Sequence, residues 1–291
     1  MFKVFAFIKR NSELLSHNEY RAGHIGYHCC NSRRLRGIRG YLVNVWANES
    51  LDSKIGRDYS DIIINEPVGF NDLWDGFPQV YFDDAASWIK ATAIEPNRAT
   101  ENGLSKDPDW TLSNSAFLFD PVDSSLKEFK SNHLKMDEKI IIPINRPEQK
   151  LTKIIQFFKK KSMIDGLDFK RTVSSEYSKK LSKMEGLKGL ILNFRDHDIN
   201  AAINGFYPDD AWHFSQQGYY ERSKFTSLWD GVFEMYFDNV DGFKAGRIGS
   251  TLHRSLTALD EKLFSSVWYV EVDENVIIMP NRDPAPDFYY R

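Results

Sequence analysis

Cysteine is nearly absent from this chain. Cys29 and Cys30 are its only two, and sequence neighbours rarely bridge because the ring they would close is strained. No second pair or ligand-type spacing accompanies them, so they read as small, buried or half-buried side chains, not as a disulfide, a metal clasp or a redox couple. Long apolar runs are missing too. The stretch Met1-Phe2-Lys3-Val4-Phe5-Ala6-Phe7-Ile8-Lys9 is too short and too interrupted for a signal peptide or a membrane span, which predicts a soluble, cytoplasmic protein with no membrane partner. Charge of one sign is nowhere concentrated. The formal net charge is -3 with the signs interspersed, whereas nucleic-acid binders gather Lys and Arg on one face, so no nucleic acid is expected. The run Lys159-Lys160-Lys161 reads as a solvated helix end. Also lacking are a glycine-rich dinucleotide loop, a phosphate loop and a nucleophile elbow, and with them the apparatus for nucleotide redox chemistry, phosphoryl transfer and serine hydrolysis. Asp196, His197 and Asp198 invite a metal, but no second cluster at ligand spacing completes a site. Neither metal nor cofactor is expected.

What the chain does have is a repeated sentence. Leu73-Trp74-Asp75-Gly76 leads to Tyr81-Phe82-Asp83, and Leu228-Trp229-Asp230-Gly231 leads to Tyr236-Phe237-Asp238. In 291 residues with 42% hydrophobic and 27% charged content, such a repeat means one fold unit duplicated and joined. Two domains are expected, residues 1–130 and 131–291.

Each copy can then be read against the other. Strand one is residues 3–9 in the first copy and the β-rich run 139–145 in the second, where Pro143 suggests an edge or a bulge. A helix follows at 18–35 and at 168–183, ending at Gly37 and Gly186, which suit a helix C-cap. Strand two is 39–45 and 188–194. Strand three is 77–82 and 232–237, led in by the Asp-Gly turn signals. A helix capped near Asp83 or Asp238 carries Trp88 in one copy and Phe243 in the other. Final strands are expected at 115–119 and 267–272. The predicted fold class is α+β, with each copy a ferredoxin-like β-α-β-β-α-β unit whose open sheet face needs a cover that the other copy supplies.

The segment from His28 to Gly37-Ile38-Arg39-Gly40-Tyr41, preceded by Tyr20 and followed by Trp74-Asp75-Gly76 and Tyr81-Phe82-Asp83, resembles the EthD family of the dimeric α+β barrel superfamily. That family shows an aromatic residue eight positions before a histidine, a Gly-Leu-Arg-x-Tyr-like turn into strand two and an Asp-Gly before strand three. In the second copy only the glycine turn, strand two and the Asp-Gly match. The resemblance implies two repeats forming an intrachain pseudo-dimeric α+β barrel, as a monomer or a homodimer. It also points to a small hydrophobic metabolite as partner, from secondary metabolism or aromatic catabolism. Related folds host cofactor-free lyases, isomerases and monooxygenases as well as haem enzymes, so the fold selects none of them.

Tyr20, His24 and His28 are spaced four apart and form one stripe on a helix. The matching stripe of the second copy, Phe169, Val173 and Tyr177, has no histidine. The unit can therefore be built without imidazoles there, which favours a functional reading of the first copy. His28 is the candidate general acid or base and His24 its partner. Gly23 and Gly26 suggest a bare helix surface that a ligand approaches. Substrate-binding candidates are Tyr20, Arg39, Asn44, Tyr81 and His213. Arg36 and Arg39 offer a fork of donors for a carboxylate or enolate, Asn44 recurs as Asn193, and Tyr81 is expected beneath the first helix. His213 sits in an aromatic insertion (Phe206, Tyr207, Trp212, Phe214, Tyr219, Tyr220) between strands two and three of the second copy, which can cover a pocket or form an interface. Asp75 and Asp230 read as turn formers, and Trp74 and Trp229 as core.

With nucleotide chemistry set aside, proton transfer remains. The leading expectation is a cofactor-independent lyase or isomerase acting on an apolar carbonyl metabolite. The alternatives are a cofactor-free monooxygenase, in which a substrate carbanion meets oxygen, and a non-catalytic binding protein for a hydrophobic metabolite. A haem ligated by His24, His28 or His213 is a further option.

Overall fold

A computed structural model describes residues 1–33, 35–92, 121–123, 128–129, 131–205, 207 and 209–283. The strands are β1 (Phe2–Ile8), β2 (Gly40–Trp46), β3 (Gly76–Phe82), β4 (Pro121–Asp123), β5 (Glu128–Phe129), β6 (Ser131–Ile142), β7 (Thr152–Lys160), β8 (Gly189–Arg195), β9 (Gly231–Phe237) and β10 (Phe264–Ile278). Eight of them close into one antiparallel barrel in the order β1-β3-β2-β10-β7-β9-β8-β6, and β4 pairs with β5 apart from it. No helix among the described residues is long and apolar enough to cross a membrane.

This corrects the expectation of two ferredoxin-like sheets stacked face to face as a pseudo-dimeric α+β barrel. The chain builds one closed β-barrel, and the reason lies in two long strands. β6 pairs with β1 through Ser131–Met136 and then with β8 from Met136 onward. β10 pairs with β7 through Phe264–Val272 and then with β2 from Val272 onward. Each long strand thus stitches one half to the other, and closure removes every sheet edge. The run 139–145, expected to open the second copy, is largely the far end of β6. The true counterpart of β1 is β7. The strand expected at 115–119 lies outside the described residues, and the basic run Lys159–Lys161 ends a strand instead of a helix.

Strand alternation gives the barrel two different faces. Outward residues of the first half, among them Val4, Tyr41, Val43, Val80 and Phe82, pack with Tyr20, Leu35 and Trp88 of the covering helices. Inward residues fill the lumen in two layers. One is aromatic: Phe5, Phe7, Trp46, Phe77, Phe157, Trp229 and Trp268, with Phe70 and Phe225 entering from the excursions between strands two and three. Phe157 and Trp268 stack at 5.2 Å, and Phe7 and Phe77 at 5.1 Å. The Asp-Gly pair serves this end. Asp75 accepts from the Arg10 backbone and Asp230 from that of Lys160, both at 2.8 Å. A Cβ on Gly76 or Gly231 would collide with the Asn44 or Asn193 carbonyl.

The other layer is ionic. Lys3 binds Glu138 (2.6 Å) and Glu234 (2.7 Å), Lys153 binds Glu234 (2.6 Å) and Glu274 (2.8 Å), and Arg146 binds Glu274 (3.0 Å). Three cations thus meet three carboxylates. Gln79 and Asn193 also donate to Glu234, at 2.9 and 2.8 Å. Burial alone would raise the Glu234 pKa, but Lys153 and Lys3 hold it well below the usual carboxylate range. Burial likewise works against the Lys3 ammonium, which Glu234, Tyr81 and Glu138 raise above its usual value.

Removing one partner of a buried ion pair strands the other, at a cost of about 3–5 kcal/mol. Glu234→Ala, which leaves two buried lysines short of a carboxylate, is therefore expected to lower the unfolding free energy in urea by about that much. Glu138→Ala, at the more exposed edge of the network, is expected to cost less. Equal losses would show that Glu234 is not the centre of the network.

Candidate functional site

The first covering helix begins with a capping box between Ser16 and Glu19 and runs His17–Gly23, through a π-helical turn at His24–His28, to Cys29–Ser32. The second copy repeats this pattern, capped by Asp165, over Gly166–Thr172, a π-helical turn at Val173–Tyr177 and Ser178–Leu181. Gly37 and Gly186 follow with φ of 77° and 74°, the left-handed conformation expected of them. A π-turn often marks a functional site, but its recurrence makes it a property of the unit. What differs is the side chains it presents.

Tyr20, His24 and His28 form the expected stripe, and it faces the outer surface of the barrel. His24 Nδ1 lies 2.9 Å from the Tyr20 hydroxyl, both fully buried. The His24 and His28 rings meet edge to face at 5.2 Å, and His28 Nε2 lies 3.0 Å from Ser32 Oγ. Burial pushes His28 down to about 4, and burial together with its neighbour His28 pushes His24 well below the usual histidine range. Both imidazoles are neutral at pH 7. Cys29, beside the Tyr41 hydroxyl, is pushed up to about 12 by burial and is unreactive. Gly26 is exposed, and among the described residues a Cβ there would meet nothing within 4 Å, so no neighbouring backbone packs against it.

The structure separates the remaining candidates from that stripe. Tyr81 does not lie beneath the helix. Its neighbours Val80 and Phe82 do, while Tyr81 points into the lumen under Lys3 and donates to Gln79 at 3.1 Å. Asn44 also points inward, donating to the Phe77 carbonyl at 3.1 Å. Arg39 clamps the Arg282 carbonyl and Asp83 (2.6 Å), tying the last described segment to the end of β3, which accounts for its conservative counterpart Lys188 beside Asp238. His213 is fully buried in the insertion and stacks on Tyr207 at 3.8 Å. Nearby, Tyr207 contacts His133 of β6 at 6.0 Å and Ser131 at 3.0 Å. Burial lowers His133 to about 4 and His213 to about 3, with Arg222 acting in the same direction on both.

Among the described residues, two of the clefts are notable for their lining. One of about 420 Å³ is lined by Arg10, His17, Trp46 and Asp75, where His17 lies 3.4 Å from Asp75 and 3.0 Å from the Trp46 carbonyl. The other, about 490 Å³, exposes the rim of the ionic layer at Arg146, Tyr236 and Glu274. Sequence reasoning singled out neither the ionic layer nor His133. Charged residues inside strands pass for solvent-facing ones, and the pairing of strand one with 139–145 hid the match of Lys3 with Lys153 that β7 supplies. Among the described residues no group of His, Cys, Asp and Glu is arranged to hold a metal ion.

No family model and no curated protein matches the chain, and EthD kinship remains a resemblance. Solved structures similar to it include a candidate monooxygenase of Fusobacterium nucleatum (9% identity, 98% of this chain and 95% of that chain, TM-score 0.49). Another is a candidate monooxygenase of Lactobacillus acidophilus (8%, 98% and 97%, 0.46). A third is an anthrone oxidase-like protein (8%, 95% and 92%, 0.48). At these identities and scores the names do not reach this chain.

These lowered histidines make stability depend on pH with a definite sign. Unfolded imidazole takes up a proton near 6.5, whereas His28 and His133 in the fold resist until about 4. The unfolded state thus binds more protons in that window, and stability is expected to fall as pH drops from about 6.5 toward about 4. Urea unfolding at stepped pH measures it. A curve flat between pH 7 and 5 would mean that these rings take up protons as readily in the fold as in the unfolded chain.

Proposed function

We propose that the chain is a cofactor-independent monooxygenase of an apolar carbon acid, with His28 as the base. The observation that carries this reading is the pair of neutral imidazoles of His24, fully buried, and His28, half-buried, set at the edge of an apolar helix–sheet layer. A neutral imidazole accepts a proton. Because burial makes its conjugate acid strong, it suits substrates whose carbanion is well delocalised, such as a methylene between two aromatic rings and conjugated with a ketone.

His28 removes the C–H proton, and the carbanion's electron pair forms a C–O bond with dioxygen, which is reduced to the peroxide level. The protonated His28 returns its proton to the outer oxygen. Loss of water from that hydroperoxide yields the ketone, so one oxygen atom enters the product and the other leaves as water. His24, hydrogen-bonded to Tyr20, holds the His28 ring by its edge-to-face contact. A lyase or isomerase would use the same base and differ only in the fate of the carbanion, which oxygen uptake separates.

With 1,8-dihydroxyanthrone as probe, the wild type is expected to consume oxygen and form the corresponding quinone. His28→Gln is expected to lose roughly 10²–10⁴-fold in turnover at an unchanged melting temperature. Oxygen uptake by His28→Gln equal to that of the wild type would sink the assignment.

A further inference from the structure

The two rim carboxylates of the ionic layer hold equivalent places in unequal surroundings. β6 pairs Met136 with Lys3 and β10 pairs Val272 with Lys153, so Glu138 and Glu274, each two residues on, correspond. Glu138 meets Lys3 at 2.6 Å. Glu274 takes Lys153 (2.8 Å), the Tyr236 hydroxyl (2.8 Å) and Arg146 Nε (3.0 Å). Arg146 comes from the segment between β6 and β7, and its guanidinium lies 5.7 Å from the centre of the Tyr236 ring. The cleft of about 490 Å³ is lined by all three of these side chains, Arg146, Tyr236 and Glu274.

A guanidinium carries five N–H donors in a fixed fork. In Arg146 the Nε donor is taken by Glu274, Nη1 meets the Met279 thioether at 3.9 Å, and Nη2 has no hydrogen bond among the described residues. A thioether is a weak acceptor. The end-on edge of the fork, Nη1 with Nη2, therefore lacks the partner it suits best, a carboxylate held through two parallel bonds. Charge at the rim agrees. Lys150, which also lines the cleft, shares the single carboxylate of Asp273 with Arg21. The other acid of the lining, Glu148, is exposed on the lip, where solvent screens it. A single excess cation suits a monoanion better than a phosphate dianion.

Much of the remaining lining is apolar. It includes Ile25 of the first helix, Leu151, Val276 and Ile277. Val276 and Met279 are 40% and 52% exposed. Apolar side chains left to water beside an incompletely bonded cation match a ligand that is charged at one end and apolar at the other.

We propose that this cleft binds an apolar monocarboxylate, with its head on the end-on edge of Arg146 and its body along Ile25, Leu151, Val276 and Ile277. The inference does not rest on the oxygenase reading. Glu274 and the Tyr236 ring hold the guanidinium from behind, so the fork is oriented before the acid arrives and loses little freedom on binding.

Calorimetric titration of the full chain with two acids, each beside its neutral alcohol, tests the proposal: 2-naphthoate with 2-naphthalenemethanol, and octanoate with 1-octanol. The wild type is expected to bind at least one acid at a single site, and the matching alcohol on the order of 10- to 100-fold more weakly. Whichever acid binds tighter shows whether the natural body is a ring or a chain, and either supports the site. Arg146→Gln is expected to weaken the tighter acid on the order of 10- to 100-fold. Val276→Asp, which sets a carboxylate on the exposed apolar wall away from the ionic layer, is expected to weaken it roughly tenfold. Urea unfolding checks that each variant is folded, and if Arg146→Gln is not, Val276→Asp decides alone. Equal binding of acid and alcohol, or no binding of either acid at millimolar concentration, would overturn the proposal. So would an acid affinity unchanged from wild type in either folded variant.

Discussion

The barrel depends on one carboxylate shared by two lysines. Lys3 and Lys153 occupy the same position in the two halves, and both reach Glu234. The counterpart of Glu234 in β3 is Gln79, which donates to Glu234 across the lumen. A symmetric pair of glutamates here would place two carboxylates in hydrogen-bond contact in a dry interior, where like charges repel strongly. A symmetric pair of glutamines would leave the lysines only the rim carboxylates Glu138 and Glu274. One of each satisfies every charge. A single chain can differ between its halves in this way, and two identical subunits cannot.

That solution fixes where chemistry can occur. With ion pairs in one layer and stacked rings in the other, side chains fill the lumen, as an eight-stranded barrel of this size favours. The groups whose partners can vary lie on the outer surface, beneath the helices. There the halves diverge in kind. The second carries the buried network of Arg247, Asp260, Tyr177 and Tyr269, a rigid and fully hydrogen-bonded arrangement. At the positions of Tyr177 and Tyr269 the first carries His28 and His133, whose charged form burial disfavours.

How much of this the sequence revealed depended on which face a residue uses. The repeated Leu-Trp-Asp-Gly aligned strands two and three correctly, and Gly37 and Gly186 marked the helix ends because few residues besides glycine adopt a positive φ there. Tyr81 was misplaced because alternation says which residues share a face, not which face is inside. Here both faces are buried: β3 has no exposed position at all, so polarity could not separate them. β6 was misread for a related cause. Its inward side carries Asn132, Leu134, Met136 and Glu138, a mixture that resembles neither a core strand nor a solvent-facing one, and only the barrel's ionic layer accounts for it. Closure itself was not legible, since it depends on β6 and β10 running past the edge of their own half.

The contrast between the halves also bears on why histidines are found on the first helix at all. Burying an imidazole forfeits the hydration of a polar ring, and the same backbone, with its π-turn, holds in the second half a tyrosine bonded to Gln156 and Asp260 instead. The fold is therefore not compelled to choose imidazole at His28, and the difference between the halves lies in the side chains and not in the backbone that carries them.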